Sequence, residues 1–135
     1  MRLAVSPSGT PGFVPTEPQP PTLSDLARRA AEACDPDETN DGVADLLRRL
    51  EDRDEPVTAI SDLDSHLAEV VGAVDPQGED PAVVMMSAVM LHLSHRRDEF
   101  EADDRRLLEQ AARDEFDGKP PEHVRDWLRE RGVEP

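Results

Sequence analysis

Two histidines and a glutamate near the middle of the chain are the residues best suited to chemistry. His92, His95 and Glu99 are spaced i, i+3 and i+7 within a stretch that we predict to be helical, so we expect them on one helix face. Two imidazoles and a carboxylate can bind zinc or another transition metal. Because helical bundles build metal sites from inward-facing Glu and His, the spacing predicts a candidate metal site here, with His66 as a possible fourth ligand.

The same residues also have a purely structural interpretation. His95 and Glu99 are four residues apart and can pair with each other at the polar end of a buried helix. Metal sites in bundles draw their ligands from several helices, and no second segment offers a matching pair. We therefore favour the structural interpretation and expect no cofactor.

Two further motifs are weaker. Asp37, Thr39, Asp41 and Gly42 fall at the first, third, fifth and sixth positions of a calcium loop. The twelfth position, which requires a bidentate Glu, is Arg48, so we predict an acidic helix-capping turn instead. Cys34 is the only cysteine, which excludes an intrachain disulfide and favours a buried apolar role.

Signatures of catalysis do not occur in the chain. It contains no Gly-x-Ser-x-Gly, no phosphate-binding glycine loop and no His-Glu-x-x-His. Acidic residues are so abundant that neighbouring carboxylates do not identify an acid–base pair. The sequence therefore favours a protein without enzymatic activity.

Nucleic-acid binding is disfavoured but kept as an alternative. The basic residues cluster at Arg96–Arg97, at Arg105–Arg106 and at Arg125, Arg129 and Arg131, and each cluster is interleaved with acids. Phosphate binding requires a continuous basic surface. A helical regulator associated with nucleic acid is the third functional hypothesis.

Charge is the strongest compositional signal. The chain carries 31 Asp and Glu against 15 Lys and Arg, a formal net charge of -16, and Lys119 is the only lysine. Such a surface repels itself in dilute buffer, and molar salt, with a Debye length of about 3 Å, screens that repulsion. Abundant Asp, one Lys and 3% aromatic residues are typical of proteins from halophilic microbes. Residues 57–80 contain six acids and no Lys or Arg.

Apolar residues recur at helical spacing in several segments. Caps and prolines predict helices that begin at Thr22, after Asp41, after Pro56 or at residues 61–64, at Asp80-Pro81, across Leu107–Phe116, and after Pro120-Pro121. We find no strand pattern and no internal repeat. The expected fold is all-α, a small bundle of five or six short helices forming one acidic domain over residues 22–135.

Two segments stand apart from this pattern. Residues 1–21 contain six prolines and predict a disordered Pro-rich tail. Residues 82–93 are apolar nearly all round and predict a central helix, which is either fully buried or partly an interface for a partner or for self-association.

These observations lead to three functional hypotheses. The first is a small acidic helical interaction or regulatory protein, the second is a metal-binding protein or metalloenzyme using His92, His95 and Glu99, and the third is the nucleic-acid regulator. The N-terminus lacks the apolar run of a signal peptide, and residues 82–93 are too few to span a bilayer. We therefore expect a cytoplasmic protein without a membrane segment.

Overall fold

A computed structural model describes residues 20–134, which form a bundle of six α-helices. In chain order these are α1 Leu23–Cys34, α2 Asp41–Leu50, α3 Leu63–Val74, α4 Pro81–His95, α5 Asp104–Phe116 and α6 Glu122–Glu130, with 3-10 helices at Val57–Ala59 and Arg97–Glu101. The predicted all-α bundle of short helices is confirmed. The predicted tail falls almost entirely outside the described residues, although Pro21 belongs to the fold because its carbonyl accepts a hydrogen bond from Val57 N at 2.9 Å.

The helix starts follow the predicted caps, since a capping side chain satisfies backbone N–H groups that have no partner within the helix. Thr22 and Asp25 form a reciprocal box at α1, with distances of 3.0 Å from Asp25 N to Thr22 Oγ1 and 3.1 Å from Thr22 N to Asp25 Oδ2. Asp80 caps α4 by accepting from Ala82 N at 3.0 Å. At α2 the cap is Asn40, one residue before the predicted Asp41.

Helix α4 is the centre of the bundle, as predicted. Helices α1 and α5 pack along it, and α2, α3 and α6 also contact it. Its buried residues are Ala82, Val83, Met85, Met86, Ala88, Val89, Met90, His92 and Leu93. Residues 82–93 are largely buried within the monomer, and an interface on this helix stays a prediction. Only Val84, Ser87 and Leu91 remain half-buried as surface for a partner.

The prediction that His92, His95 and Glu99 share one helix face is wrong, because α4 ends at His95. Arg96 leaves helical geometry at φ -129 and ψ 76, and Glu99 lies in the following 3-10 helix. The partly buried Arg29 of α1 holds that segment, with Nε donating to Phe100 O at 2.9 Å and Nη2 donating to Ala102 O at 2.7 Å. These bonds satisfy carbonyls that a longer α4 would have paired internally.

A helical hairpin occurs twice in the structure, although the sequence shows no internal repeat. The helix α1, its turn and the start of α2 match α3, its turn and the start of α4 at a shift of 40 residues. Asp35 and Asp75 each end their helix, and each carboxylate accepts two backbone N–H groups, from Thr39 and Asn40 and from Glu79 and Asp80 respectively. Glu38 and Gly78 both have positive φ, at 56° and 65°.

No helix within residues 20–134 combines the length and apolar character needed to cross a membrane.

Candidate functional site

His92 is the most deeply buried ionisable group near the predicted site. Its side chain is 1% exposed, and its Nδ1 lies 2.6 Å from Oδ2 of Asp114 on α5. An ionised carboxylate only accepts hydrogen bonds, so Nδ1 carries the proton and donates to Asp114. This bond joins α4 to α5 at the point where α4 ends.

Glu99 faces the other ring nitrogen of His92. Its carboxylate is 8% exposed, and Oε1 lies 3.8 Å from His92 Nε2, too far for a hydrogen bond. Arg106 donates from Nε to the same oxygen at 3.2 Å. The buried Nε2 of His92 has no hydrogen-bond partner among residues 20–134, so these four side chains form a row with one polar atom unsatisfied.

His95 does not join this row. It is exposed and lines a cleft of about 160 Å³ between α3 and α5, together with Asp64, Ala88, Leu91, His92, Asp114 and Glu115. The structure therefore brings together two of the three predicted metal ligands, His92 and Glu99, and leaves the third at the surface.

Metal-ligand geometry does not arise among the described residues. Within 20–134 no group of three or more His, Cys, Asp or Glu side chains is arranged to hold a metal ion. His66 stands on α3, and its charge contributes to the low pKa of Glu55, which is lowered first by the hydrogen bond from Arg53. His66 is thus near the turn at residues 53–55, and the metal site stays a prediction from the sequence.

The two weaker motifs have structural roles. Cys34 is buried at 1% exposure, and desolvation raises the pKa of its thiol far above the usual range, so the reactive thiolate does not form. The acidic stretch at 37–42 is a capping turn, as predicted. Its carboxylate acceptor is Asp35, which precedes the stretch, and Asn40 caps α2 by accepting from Val43 N at 2.9 Å.

At least one arginine of each cluster is engaged within the chain. Arg96 pairs with Asp98 at 3.4 Å, Arg106 pairs with Glu99 at 3.2 Å, and Arg131 stacks on the Trp127 ring at 3.7 Å. Partnered arginines interleaved with acids do not form the continuous basic surface that phosphate binding requires.

Comparison of the chain with models of protein families, with curated proteins and with solved structures finds no match.

Helix α3 carries the surface that the sequence analysis overlooked. Of its predicted apolar stripe only Leu67 is buried, while Leu63, Val70, Val71 and Val74 are half-buried. Its outward positions include Ala68, Gly72 and Ala73, all exposed. A helix with this composition is usually covered on more than one side, yet α3 packs chiefly on α2 and α4.

Comparison of the two hairpins shows which neighbouring helix α3 lacks. At the 40-residue shift, Val70, Val71 and Val74 correspond to Ala30, Ala31 and Cys34 of α1, which are 0%, 9% and 1% exposed. Helix α1 packs against α5 as well as against α2 and α4. Within residues 20–134, no third helix packs on α3 as α5 packs on α1, and its valines stay partly exposed in consequence.

The surroundings of α3 are acidic. Asp64 and Glu69 are its charged residues, and Asp64 faces Glu115 of α5 across the small cleft. Burial raises the pKa of Glu115, and the nearby charge of Asp64 raises it further. Asp64 and Glu115 thus place two acids at this edge of α3.

Proposed function

We propose that this chain is a small acidic interaction protein without catalytic activity, and that it binds another protein through the open face of α3. This face consists of Leu63, Val70, Val71, Ala73 and Val74. The observation that supports the proposal is the contrast between the repeats, in which equivalent positions are buried on α1 and half-exposed on α3. Exposed apolar faces on soluble proteins usually mark interaction surfaces.

The rest of the surface supports a salt-adapted protein of a halophilic microbe. The net charge of -16 keeps copies of the chain apart and soluble at salt concentrations where neutral surfaces associate. Helix α3 differs from this surface, because it is largely apolar and carries only two charged residues. It therefore has little of the charge that keeps copies of the chain apart elsewhere.

Site-specific photo-crosslinking in the source cell tests the proposal. A photoreactive residue would replace the exposed Ala73 on α3, and the matched control would carry it at the exposed Ala44 on α2. We expect a discrete adduct of defined mass from position 73, absent from position 44, and absent when Val71→Asp is combined with position 73. Adducts of equal yield from both positions, or none from position 73, would contradict the proposal.

A further inference from the structure

We infer that the partner presents a basic amphipathic helix, which lies on α3 in the way that α5 lies on α1. The inference rests on the proposed function and adds the chemical class of the partner. It follows from the comparison of α3 with α1. The packing of α5 on α1 is the template for the packing of the partner on α3, and the two helices differ in charge at one equivalent position.

The packing template is α5 itself. Its buried residues Leu107, Leu108, Ala111 and Ala112 form one apolar stripe, and α5 contacts α1 as well as α4. At three equivalent positions α3 carries valine where α1 carries alanine or cysteine. An occupant helix therefore needs an apolar stripe to cover these valines, and the small exposed Ala73, equivalent to the buried Ala33, leaves room for a close approach.

The difference in charge between α1 and α3 indicates the chemistry of the partner helix's polar face. Arg29 of α1 forms an ion pair with Asp104 of α5, with 3.0 Å between Nη1 and Oδ1, and its side chain is 15% exposed. At the 40-residue shift the position of Arg29 is taken by Glu69, which is exposed. Where α1 selects an acid from α5, α3 therefore selects a base from its partner.

The other charges around α3 are also acidic. Residues 57–80 carry six acids and no Lys or Arg, and Asp114 and Glu115 add further negative charge at the rim of the neighbouring cleft. On the neighbouring helix α2, Arg48 and Arg49 both pair with Asp45, at 3.2 and 3.3 Å. Lys or Arg on the flanks of a partner helix speeds its association and aligns it.

Two synthetic peptides of about 18 residues test the inference, each long enough for five helical turns. Both carry the same Leu and Ala stripe, and the polar face is Arg-rich in one and Glu-rich in the other. Binding to the isotope-labelled full chain is followed by amide shifts, at the lowest KCl concentration at which circular dichroism shows a complete fold. We expect the Arg peptide to bind about tenfold or more tightly than the Glu peptide, with shifts concentrated in residues 63–74.

Charge reversal separates a specific site from general attraction to an acidic protein. Glu69→Arg should remove or invert the preference for the Arg peptide, whereas the matched variant Glu130→Arg, at an exposed position of α6, should leave it unchanged. Equal effects of the two variants would overturn the inference, and so would shifts located away from α3.

The remaining outcomes distinguish this inference from the proposed function. Equal binding of both peptides on residues 63–74 overturns the basic character of the partner and leaves α3 as a binding face. If neither peptide perturbs residues 63–74, or if sedimentation shows that a second copy of the chain covers α3, both the inference and the proposed partner face are overturned.

Discussion

Asn40 and Asp80 occupy equivalent positions in two turns 40 residues apart, and they touch: Asn40 Nδ2 donates to Asp80 Oδ1 at 3.3 Å. Each residue also caps the helix that follows it, α2 and α4 respectively. The contact therefore joins the two halves of the repeat at their turns and ties both helix starts together. It explains why a polar pair lies between helices whose facing sides are apolar.

Removing the Asp80 carboxylate should destabilise the chain. Asp80→Ala loses the cap of α4 and the bond from Asn40, and the loss of a cap alone costs about 1 kcal/mol. The exposed Asp37 in the first turn is the matched control, and Asp37→Ala should change stability much less. Urea unfolding followed by circular dichroism measures both, and equal midpoints for the two variants would show that the joined turns contribute nothing.

Two glycines should respond to alanine with opposite signs. A Cβ added at Gly42 would lie 2.8 Å from Asp80 Oδ2 and 2.8 Å from Val83 Cγ2, while one added at Gly72 meets nothing within 4 Å. Asp80 is held by its hydrogen bonds and Val83 is buried, so neither can move aside freely. Overpacking costs about 1–3 kcal/mol, more than the gain in helix propensity of about 1 kcal/mol.

We therefore expect Gly42→Ala to lower the free energy of unfolding and Gly72→Ala to raise it. Thermal melts of both variants beside the wild type make the measurement. A Gly42→Ala protein as stable as the wild type would mean that the two turns lie further apart than described.

Neutralising Glu115 should stabilise the chain at neutral pH. Burial and the charge of Asp64 raise the pKa of this carboxyl in the folded state above its unfolded value. A group with a raised folded pKa stabilises the fold while it is protonated in both states, and that contribution is lost as the pH rises through the folded pKa.

Glu115→Gln should accordingly melt higher than the wild type at pH 7, and the difference should vanish at acid pH, where the wild-type carboxyl is protonated in both states. Glu101→Gln, at an exposed position, serves as the control and should show no such pH dependence. A stability difference independent of pH would assign the effect to packing and not to charge.

Salt should stabilise the fold. Between 0.1 M and 1 M KCl the Debye length falls from about 10 Å to about 3 Å, which screens the repulsion among acidic groups across the surface. Melting temperature and helical signal should therefore rise over this range. Identical melting curves at both concentrations would refute the salt-adapted interpretation of the composition.

Metal binding should be weak or absent. His95 is exposed and separate from the row formed by His92 and Glu99, so the three side chains do not converge. Calorimetric titration of untagged protein with Zn²⁺ measures this directly. A tight site with one metal per chain, lost in both His92→Ala and His95→Ala but kept in His123→Ala, would restore the metal hypothesis.

The sequence alone determined the helices, because their signals are local. A helix start is marked by a capping side chain, as at Thr22 and Asp80, or by a proline, which has no backbone N–H to satisfy, as at Pro81. The apolar run at residues 82–93 identifies the central helix. The burial of Cys34 and the capping role of the turn at residues 37–42 also follow from neighbouring residues. All of these features are present in the structure.

The contacts of the candidate site could not be predicted from such local signals. Glu99 lies in a 3-10 segment after α4, and the next carbonyl, that of Phe100, accepts from Arg29, which lies 71 residues away along the chain. The partner of His92 is Asp114, 22 residues away and one acid among many. Spacing along a single helix carries no information about either contact.

Only the tertiary structure revealed the repeat and the open face. Few residues match at the 40-residue shift, among them Asp35 and Asp75, because the shared feature is backbone hydrogen bonding to a carboxylate and not hydrophobic periodicity. The stripes of α1 and α3 both look buried in the sequence, since periodicity shows that a helix has an apolar face but not whether a neighbour covers it. That cover is a long-range property: α5 packs on α1 and leaves the valines of α3 partly exposed.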